Sequence, residues 1–214
     1  MDRFKTQVKK EHYSKRDYDN FESFISYYYQ TRCLLDYSDE IENILEIGIG
    51  NKTLTNYLKE YGFNTTTCDY AADLKPDKVA DIRKLPFSDE EFDAVVAFEV
   101  LEHIPFTDFD IALKELRRVS KKYVIISIPN STSYIEWKIK FSLPKIRDKQ
   151  SYFKFQIPNF LTRQGKSNHK WELNKKNFPS KKIRNVIMKS GLEILNEFEP
   201  KLNLGHHFFF MKKV

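Results

Sequence analysis

The chain has 214 residues, with 36 Lys and Arg against 30 Asp and Glu and a formal net charge of +6 at pH 7; that length suits one domain, or one domain with a lid, and allows a sizeable core. No stretch approaches the roughly 18 consecutive apolar residues of a membrane span, the charged N-terminus lacks the apolar segment of a secretory signal, and the isolated Cys33 and Cys68 have no metal-ligand spacing and read as reduced thiols of a cytoplasmic protein. The charge is uneven: residues 1–120 carry 16 basic and 24 acidic side chains, a balance of −8, and residues 121–214 carry 20 and 6, a balance of +14, so the C-terminal part either faces something anionic, a membrane surface included, or is a lysine-rich solvated face.

Residues 8–36 contain neither proline nor glycine. Phe21, Phe24, Ile25, Tyr28, Tyr29 and Arg32 recur there at three- and four-residue spacing, which predicts one or two amphipathic helices. The period then changes. Asn43 to Ile47 reads as a short strand, Thr53 to Tyr61 as a helix, and NTTTCD (64–69) as a β-branched strand. FDAVVAF (92–98) is a near-continuous apolar run, suited to a parallel strand buried on both faces. IALKELRRVS (111–120) is helical, and YVIISIPN (123–130) is a strand stopped by Pro129. Strands alternating with helices at this spacing indicate successive βαβ units in a parallel sheet.

From 131 to about 178 the regular pattern lapses, and Lys and Arg interleave with aromatics. The segment is too apolar for a disordered linker and is expected to be an insertion or lid. Within it, WKIKFSLP places Trp137, Ile139, Phe141 and Leu143 on one side of a period-2 pattern. Three readings stay open for that face: it lines a pocket, it packs onto the core, or it rests on an anionic membrane to reach a lipid-linked sugar. KKIRNVIMKSG (181–191) reads as a helix ending at Gly191, and LEILNEFEP and HHFFFMKKV as a closing antiparallel pair.

The chemistry concentrates in NILEIGIGNKTLTNYL (43–58): a strand, a carboxylate, two glycines one residue apart, then a helix. Glycines at the carboxyl edge of a sheet let a ligand approach the backbone, and the next helix start offers unpaired N–H groups. The following strand ends in Asp69, where a carboxylate can accept from both hydroxyls of a ribose. A dinucleotide fingerprint requires a third glycine, and Thr53 stands in its place, so no pyrophosphate site is provided for. Asp81 follows in ADIRKLPF, where an adenine amino group could be read, and FDAVVAF runs directly into EVLEHIP.

Taken together, Glu46-Ile-Gly48-Ile-Gly50, Asp69, Asp81-Ile82 followed by LPF, and FDAVVAFEVLEHIP resemble the class I S-adenosylmethionine-dependent methyltransferases over about residues 43–130. The resemblance implies a Rossmann-like α/β fold, a seven-stranded, mostly parallel sheet with helices on both faces. It divides a single domain into an N-terminal helical cap (1–40), a cofactor-binding core (41–130), a basic aromatic lid (131–178) and a C-terminal helix with strands (179–214). It also implies S-adenosyl-L-methionine as cofactor. Gly48 and Gly50 would line its methionine part, with Glu46 orienting the loop or the amino group. Asp69 would hold the ribose diol, Tyr70 would pack on the adenine, and Asp81 with the backbone of Ile82 would read the adenine edge. Phe98 and Glu99 would lie under the methionine and sulfonium. Lys52 departs from the resemblance, since many members carry another glycine there.

For the acceptor, His103 in EVLEHIP is the candidate general base, its alternative being a structural histidine beneath the site. Tyr29, Trp137, His169 and Trp171 are the further candidates for the substrate pocket or lid; for Tyr29 the alternative is packing of its helix onto the sheet. His206 and His207 must point to opposite faces of a terminal strand, so at most one can face a pocket, and surface placement is the expectation for both. No N/D-P-P-Y/F sequence follows the fourth strand, no cysteine stands where a cytosine methylase needs its nucleophile, and no clustered Asp/His set suggests a Mg²⁺-held catechol, so no metal is expected. A hydroxyl, carboxylate or simple amine on a small-molecule, sugar or lipid-linked acceptor follows. The alternatives are an RNA methyltransferase using the basic C-terminal region as a stacking surface, and a cofactor-binding interaction protein without catalysis.

Overall fold

In the computed structural model, residues 10–13, 18–143, 146–157, 168–203 and 205–214 are described. In chain order the strands are β1 (Asn43–Ile47), β2 (Asn64–Asp69), β3 (Lys78–Val79), β4 (Phe92–Phe98), β5 (Ser120–Pro129), β6 (Ser133–Leu143), β7 (Ile146–Ile157), β8 (Leu192–Phe198) and β9 (His206–Lys213). The helices are α1 (Lys10–Tyr13), α2 (Phe21–Leu35), α3 (Thr53–Glu60), α4 (Phe109–Val119) and α5 (Ser180–Lys189). Seven strands form one sheet in the order β3-β2-β1-β4-β5-β9-β8, and β6 and β7 form a separate pair.

Five neighbouring strands, β3 to β5, run parallel, and β9 is antiparallel to both β5 and β8. This is the predicted mostly parallel seven-stranded sheet. Its apolar runs are explained by double coverage: Ile44, Ala94, Val96 and Ile125 belong to one buried cluster, while Leu45, Ile47, Val95, Ala97 and Ile126 belong to another. Adjacent residues of a strand point to opposite faces, so only a sheet covered twice can bury both sets. On one face α4 inserts Phe109, Ala112, Leu113 and Leu116, a three- and four-residue spacing, and α5 adds Ile183 and Ile187. On the other, α3 contributes Leu54 and Leu58, and α2 contributes Cys33 and Leu34.

Helix α2 forms as predicted but turns the other way. Phe21, Phe24 and Tyr28 are exposed, and the buried side carries Ser26, Gln30, Thr31, Cys33 and Leu34. The aromatic stripe is therefore not what seats this helix. Its polar stripe is buried because it meets polar partners: Ser26 Oγ lies 2.9 Å from His206 Nδ1 and accepts from Asn203 Nδ2 at 2.8 Å. Both cysteines are buried thiols, Cys68 in the core under one sheet face and Cys33 under the other.

The described chain divides into two compact units, Met1–Asn130 with Asn168–Val214, and Ser131–Ser167. The second is an antiparallel hairpin with Trp137 opposite Phe153 and Ile135 opposite Phe155. Ile135, Trp137, Ile139, Phe153 and Phe155 are each exposed. Over Ser133–Leu143 and Ile146–Ile157 the insertion expected to be irregular is thus regular, because its period-2 stretch pairs with a second strand. It is also shorter than 131–178. Trp171 and Leu173 are fully buried in the larger unit's core, and Leu173 N donates to Pro129 O at 2.9 Å. The side chains of Phe141 and Leu143 lie outside the described residues.

Candidate functional site

Strand order reverses between β1 and β4, and in open α/β sheets the carboxyl ends at such a point leave a crevice for ligands. Gly48 follows β1 there with φ +80°, and a Cβ on it would lie 2.3 Å from Val100 Cγ2. Only glycine permits this approach of the two loops. Gly50 also has positive φ, and its surroundings are looser, with the Tyr13 ring 3.5 Å and the Tyr18 hydroxyl 3.7 Å from where a Cβ would sit. Lys52, the departure from the family's glycine, adopts the left-handed conformation that a glycine would take, φ 67°. Its ammonium donates to Lys75 O at 2.9 Å. The loop path is thus compatible with lysine at this position.

Asp69 ends β2 and ties the glycine loop to it. Its Oδ2 accepts from Ile49 N at 2.9 Å and its Oδ1 from Ala71 N at 2.8 Å. Burial raises its pKa above the ordinary carboxylate value, against those two hydrogen bonds. The Tyr70 N–H is a third backbone partner, and a carboxylate with about four acceptor sites still has room for a further donor. Asp81 is held instead by Arg83, whose Nε and Nη2 reach its two oxygens at 2.9 and 2.5 Å, and its pKa is lowered mainly by that pairing. Arg83 Nη1 continues to Asp108 at 2.6 Å.

One cavity collects Gly48, Asp69, Tyr70, Asp81, Ile82, Glu99 and His103, seven of the positions expected from the sequence. Glu46, Gly50 and Phe98 line a neighbouring cavity that shares Glu99. Glu46 is buried, takes a hydrogen bond from Thr55 Oγ1, and burial pushes its pKa up to about 7. Glu99 has φ 54°, a conformation that costs a non-glycine residue and marks functional loops. Its Oε1 accepts from Ser127 Oγ at 2.7 Å, and its Oε2 lies 3.5 Å from His206 Nε2.

His206 therefore lines the second cavity rather than the surface, and His207 is buried too, 8% exposed, with Nδ1 3.7 Å from Glu199. The terminal strand is an inner strand of the sheet, with β8 on one side and β5 on the other, so neither histidine stands at an open edge. Tyr29 is away from the main cavity, packed against Phe198 with ring centroids 5.5 Å apart. Trp171 is a core residue whose Nε1 donates to Ile104 O at 3.1 Å, and it is not among the residues lining the main cavity. Trp137 belongs to the hairpin, its ring 5.6 Å from Phe155. His169, by contrast, comes beside His103, ring centroids 5.2 Å apart.

Two contributors escaped the sequence reading. Tyr13 walls the main cavity and meets the Tyr18 ring edge-on at 5.3 Å; it sits in a charged stretch with no apolar period to single it out. Glu102, beside His103, is 0% exposed, and neither carboxylate oxygen has a hydrogen-bond partner among the described residues. Its Oε1 lies 3.8 Å from His103 Nε2 and 3.9 Å from His169 Nε2. Burial lowers the His103 pKa to about 4, with His169 and Lys170 adding to the effect, so the ring is neutral at pH 7. The adjacent Glu-His pair in EVLEHIP was the available signal.

A family model described as a methyltransferase domain matches residues 45–128, the segment from β1 to the end of β5. An uncharacterized protein of Methanocaldococcus jannaschii is 30% identical over 178 residues, 71% of this chain and 74% of its own length. The chain belongs to the class I S-adenosylmethionine-dependent methyltransferases. The methyltransferase fold extends beyond the matched segment. A Pyrococcus horikoshii protein of solved structure superposes with TM-score 0.64 over 97% of this chain and 100% of that one, at 14% identity. The N-methyltransferase NodS of Bradyrhizobium japonicum, solved with S-adenosylhomocysteine, superposes with TM-score 0.62 over 95% of each chain, at 12% identity. In this methyltransferase no helix among the described residues is long and apolar enough to cross a membrane.

Proposed function

We propose that this methyltransferase holds S-adenosylmethionine across the carboxyl ends of β1, β2 and β4 and methylates a hydroxyl, carboxylate or simple amine of a small-molecule, sugar or lipid-linked acceptor. The observation that carries the reading is the cradle at Gly48, where a Cβ would collide with Val100, opening into a cavity that also contains Asp69. The donor set fits the group. Asp69 has lone pairs to spare for a ribose diol, Tyr70 and Ile82 offer apolar area for a base, and the acidic Glu46 and Glu99 suit a cationic methionine end.

Bound S-adenosylmethionine supplies an electrophilic methyl group on a positively charged sulfur. Direct displacement asks the protein mainly for alignment, and Asp69 and the glycine loop provide it on one side. Glu99, fixed by Ser127, keeps negative charge near the cationic end without moving. His103 lines the same cavity with Nε2 turned to Glu102, so we assign it to the acceptor side as a positioning residue.

Calorimetric titration with S-adenosylhomocysteine tests the cofactor assignment. Wild-type protein should bind in the micromolar range or tighter, and Asp69→Ala should lose at least about a hundredfold in affinity, as expected when a charged hydrogen-bond partner is removed. Unchanged affinity would overturn the assignment.

A further inference from the structure

We propose that Glu102, His103 and His169 bind a divalent first-row metal ion, zinc being the best match, at the wall of the cofactor cavity. One carboxylate oxygen and two imidazole nitrogens lie within 4.8 Å of one another there. Glu102 Oε1 is the shared centre, 3.8 Å from one Nε2 and 3.9 Å from the other. The carboxylate is fully buried, and neither of its oxygens has a hydrogen-bond partner among the described residues. A buried carboxylate ordinarily has partners, because its desolvation is otherwise uncompensated. A cation supplies the missing interaction.

The surroundings are those of a metal site. His169 Nδ1 lies 3.0 Å from Glu172 Oε1. A carboxylate only accepts, so Nδ1 carries the proton and the lone pair sits on Nε2, toward Glu102. This is the carboxylate–histidine arrangement that orients a metal ligand and raises its basicity. Lys175 Nζ, 3.5 Å from Glu172 Oε1, balances that outer carboxylate. Both ligand-bearing segments are fixed to each other by backbone: Lys170 N donates to Glu102 O at 2.9 Å, and the buried Trp171 indole donates to Ile104 O.

Two imidazoles and one carboxylate suit zinc, iron, cobalt or manganese rather than calcium or magnesium, which prefer oxygen. Four-coordinate zinc holds its ligand atoms about 3.3 Å apart, so the two Glu102–histidine pairs must close by roughly half an ångström and the two imidazoles by up to about 1.5 Å, within reach of side-chain rotation. Three protein ligands leave a coordination position open, the mark of a site that takes a water or a substrate atom. His103 also lines the cofactor cavity, so the open position favours an acceptor presenting an oxygen or nitrogen ligand. That last step rests on the methyltransferase reading, whereas the metal site does not.

The test uses the full chain, stripped with a chelator, and titrates zinc ion by calorimetry with and without S-adenosylhomocysteine. One saturable site per chain is expected, at micromolar affinity or tighter. Glu102→Gln and His169→Ala should each weaken it by at least a hundredfold, and Glu172→Gln, acting through His169, by about ten- to a hundredfold. Thermal melting gives a second readout: zinc should raise the wild-type Tm and leave that of His169→Ala unmoved. His169 is partly exposed, so its variant remains measurable if Glu102→Gln fails to fold. S-Adenosylhomocysteine affinity should persist in all three variants, so its loss in the wild type would sink the cofactor reading and not the metal site. Equal zinc binding by wild type and His169→Ala, or no saturable binding below about 100 µM, would overturn the proposal and leave Glu102 a buried acid.

Discussion

At the amino ends of the parallel strands, Asp93 in β4 accepts from the backbone N–H groups of Glu42 and Asn43 at 3.1 and 2.8 Å and from Lys121 Nζ at 2.8 Å. At the carboxyl ends of the same strands, Glu102 is buried with neither oxygen hydrogen-bonded among the described residues, and Asp69 and Glu46 are held above their ordinary pKa by burial. Burial also acts on Asp93, but Lys121 and the two N–H groups outweigh it and its pKa falls below the ordinary value. One end of the sheet therefore satisfies its carboxylates and gains stability from them. The other buries its carboxylates more deeply than their hydrogen bonds compensate, and that remaining capacity is what a ligand can engage, at some cost to the fold. Substitutions at the two ends should accordingly separate stability from binding.

The largest effect is expected at Gly48→Ala. The new Cβ would need the space of Val100 Cγ2 at a residue with φ +80°, so S-adenosylhomocysteine binding should vanish in calorimetry, with a stability loss of about 1–3 kcal/mol in denaturant unfolding. A variant that binds normally would remove the cradle from the argument for this end of the sheet. Asp93→Ala should do the converse. Unfolding should show about 1 kcal/mol lost, since two backbone N–H groups and Lys121 lose a charged acceptor, while S-adenosylhomocysteine affinity stays within about twofold.

The two ends should also respond to pH with opposite signs. The folded pKa of Glu46, about 7, lies above its ordinary value, so between the two values the folded state binds more protons than the unfolded one. Its contribution to stability rises as pH falls from about 8 to about 5. Asp93 has a lowered folded pKa; its contribution is present above the ordinary value and is lost as pH falls through the folded one. Glu46→Gln should stabilise the protein by roughly 1–2 kcal/mol at pH 8 and by progressively less toward pH 5. A gain that does not vary with pH would mean that ionisation is not what Glu46 costs the fold.

Much of this organisation was legible in the chain. FDAVVAF and YVIISIPN are mostly apolar because β4 and β5 are covered twice, and the glycine pair, Asp69 and Asp81 are recognisable because the loop chemistry is local in sequence. What was not legible depends on contacts across long separations. Helix α2 shows an aromatic period, but the partners that decide its orientation, His206 and Asn203, come some 180 residues later. The expected substrate-side set scattered for the same reason: Trp171 and Tyr29 are apolar enough to serve a pocket or a core, and packing sent them to the core and a side cluster. Glu102 and His169 are 67 residues apart, and nothing in either local sequence announces that they meet.

The end of β5 has a bearing on how this chain could be altered. Asn130 bridges in parallel to Leu173, and Leu173 N donates to Pro129 O, so the chain returns to the point it left. Everything between Ser131 and Ser167 is an excursion whose two ends are stitched together by backbone hydrogen bonds of the larger unit. Such a site behaves as a cassette slot. Replacing the hairpin with a short Gly/Ser linker should leave the seven-stranded sheet folded and its cofactor affinity unchanged, while acceptor turnover reports what the hairpin contributes. The same slot would accept a different insert without redesigning the sheet.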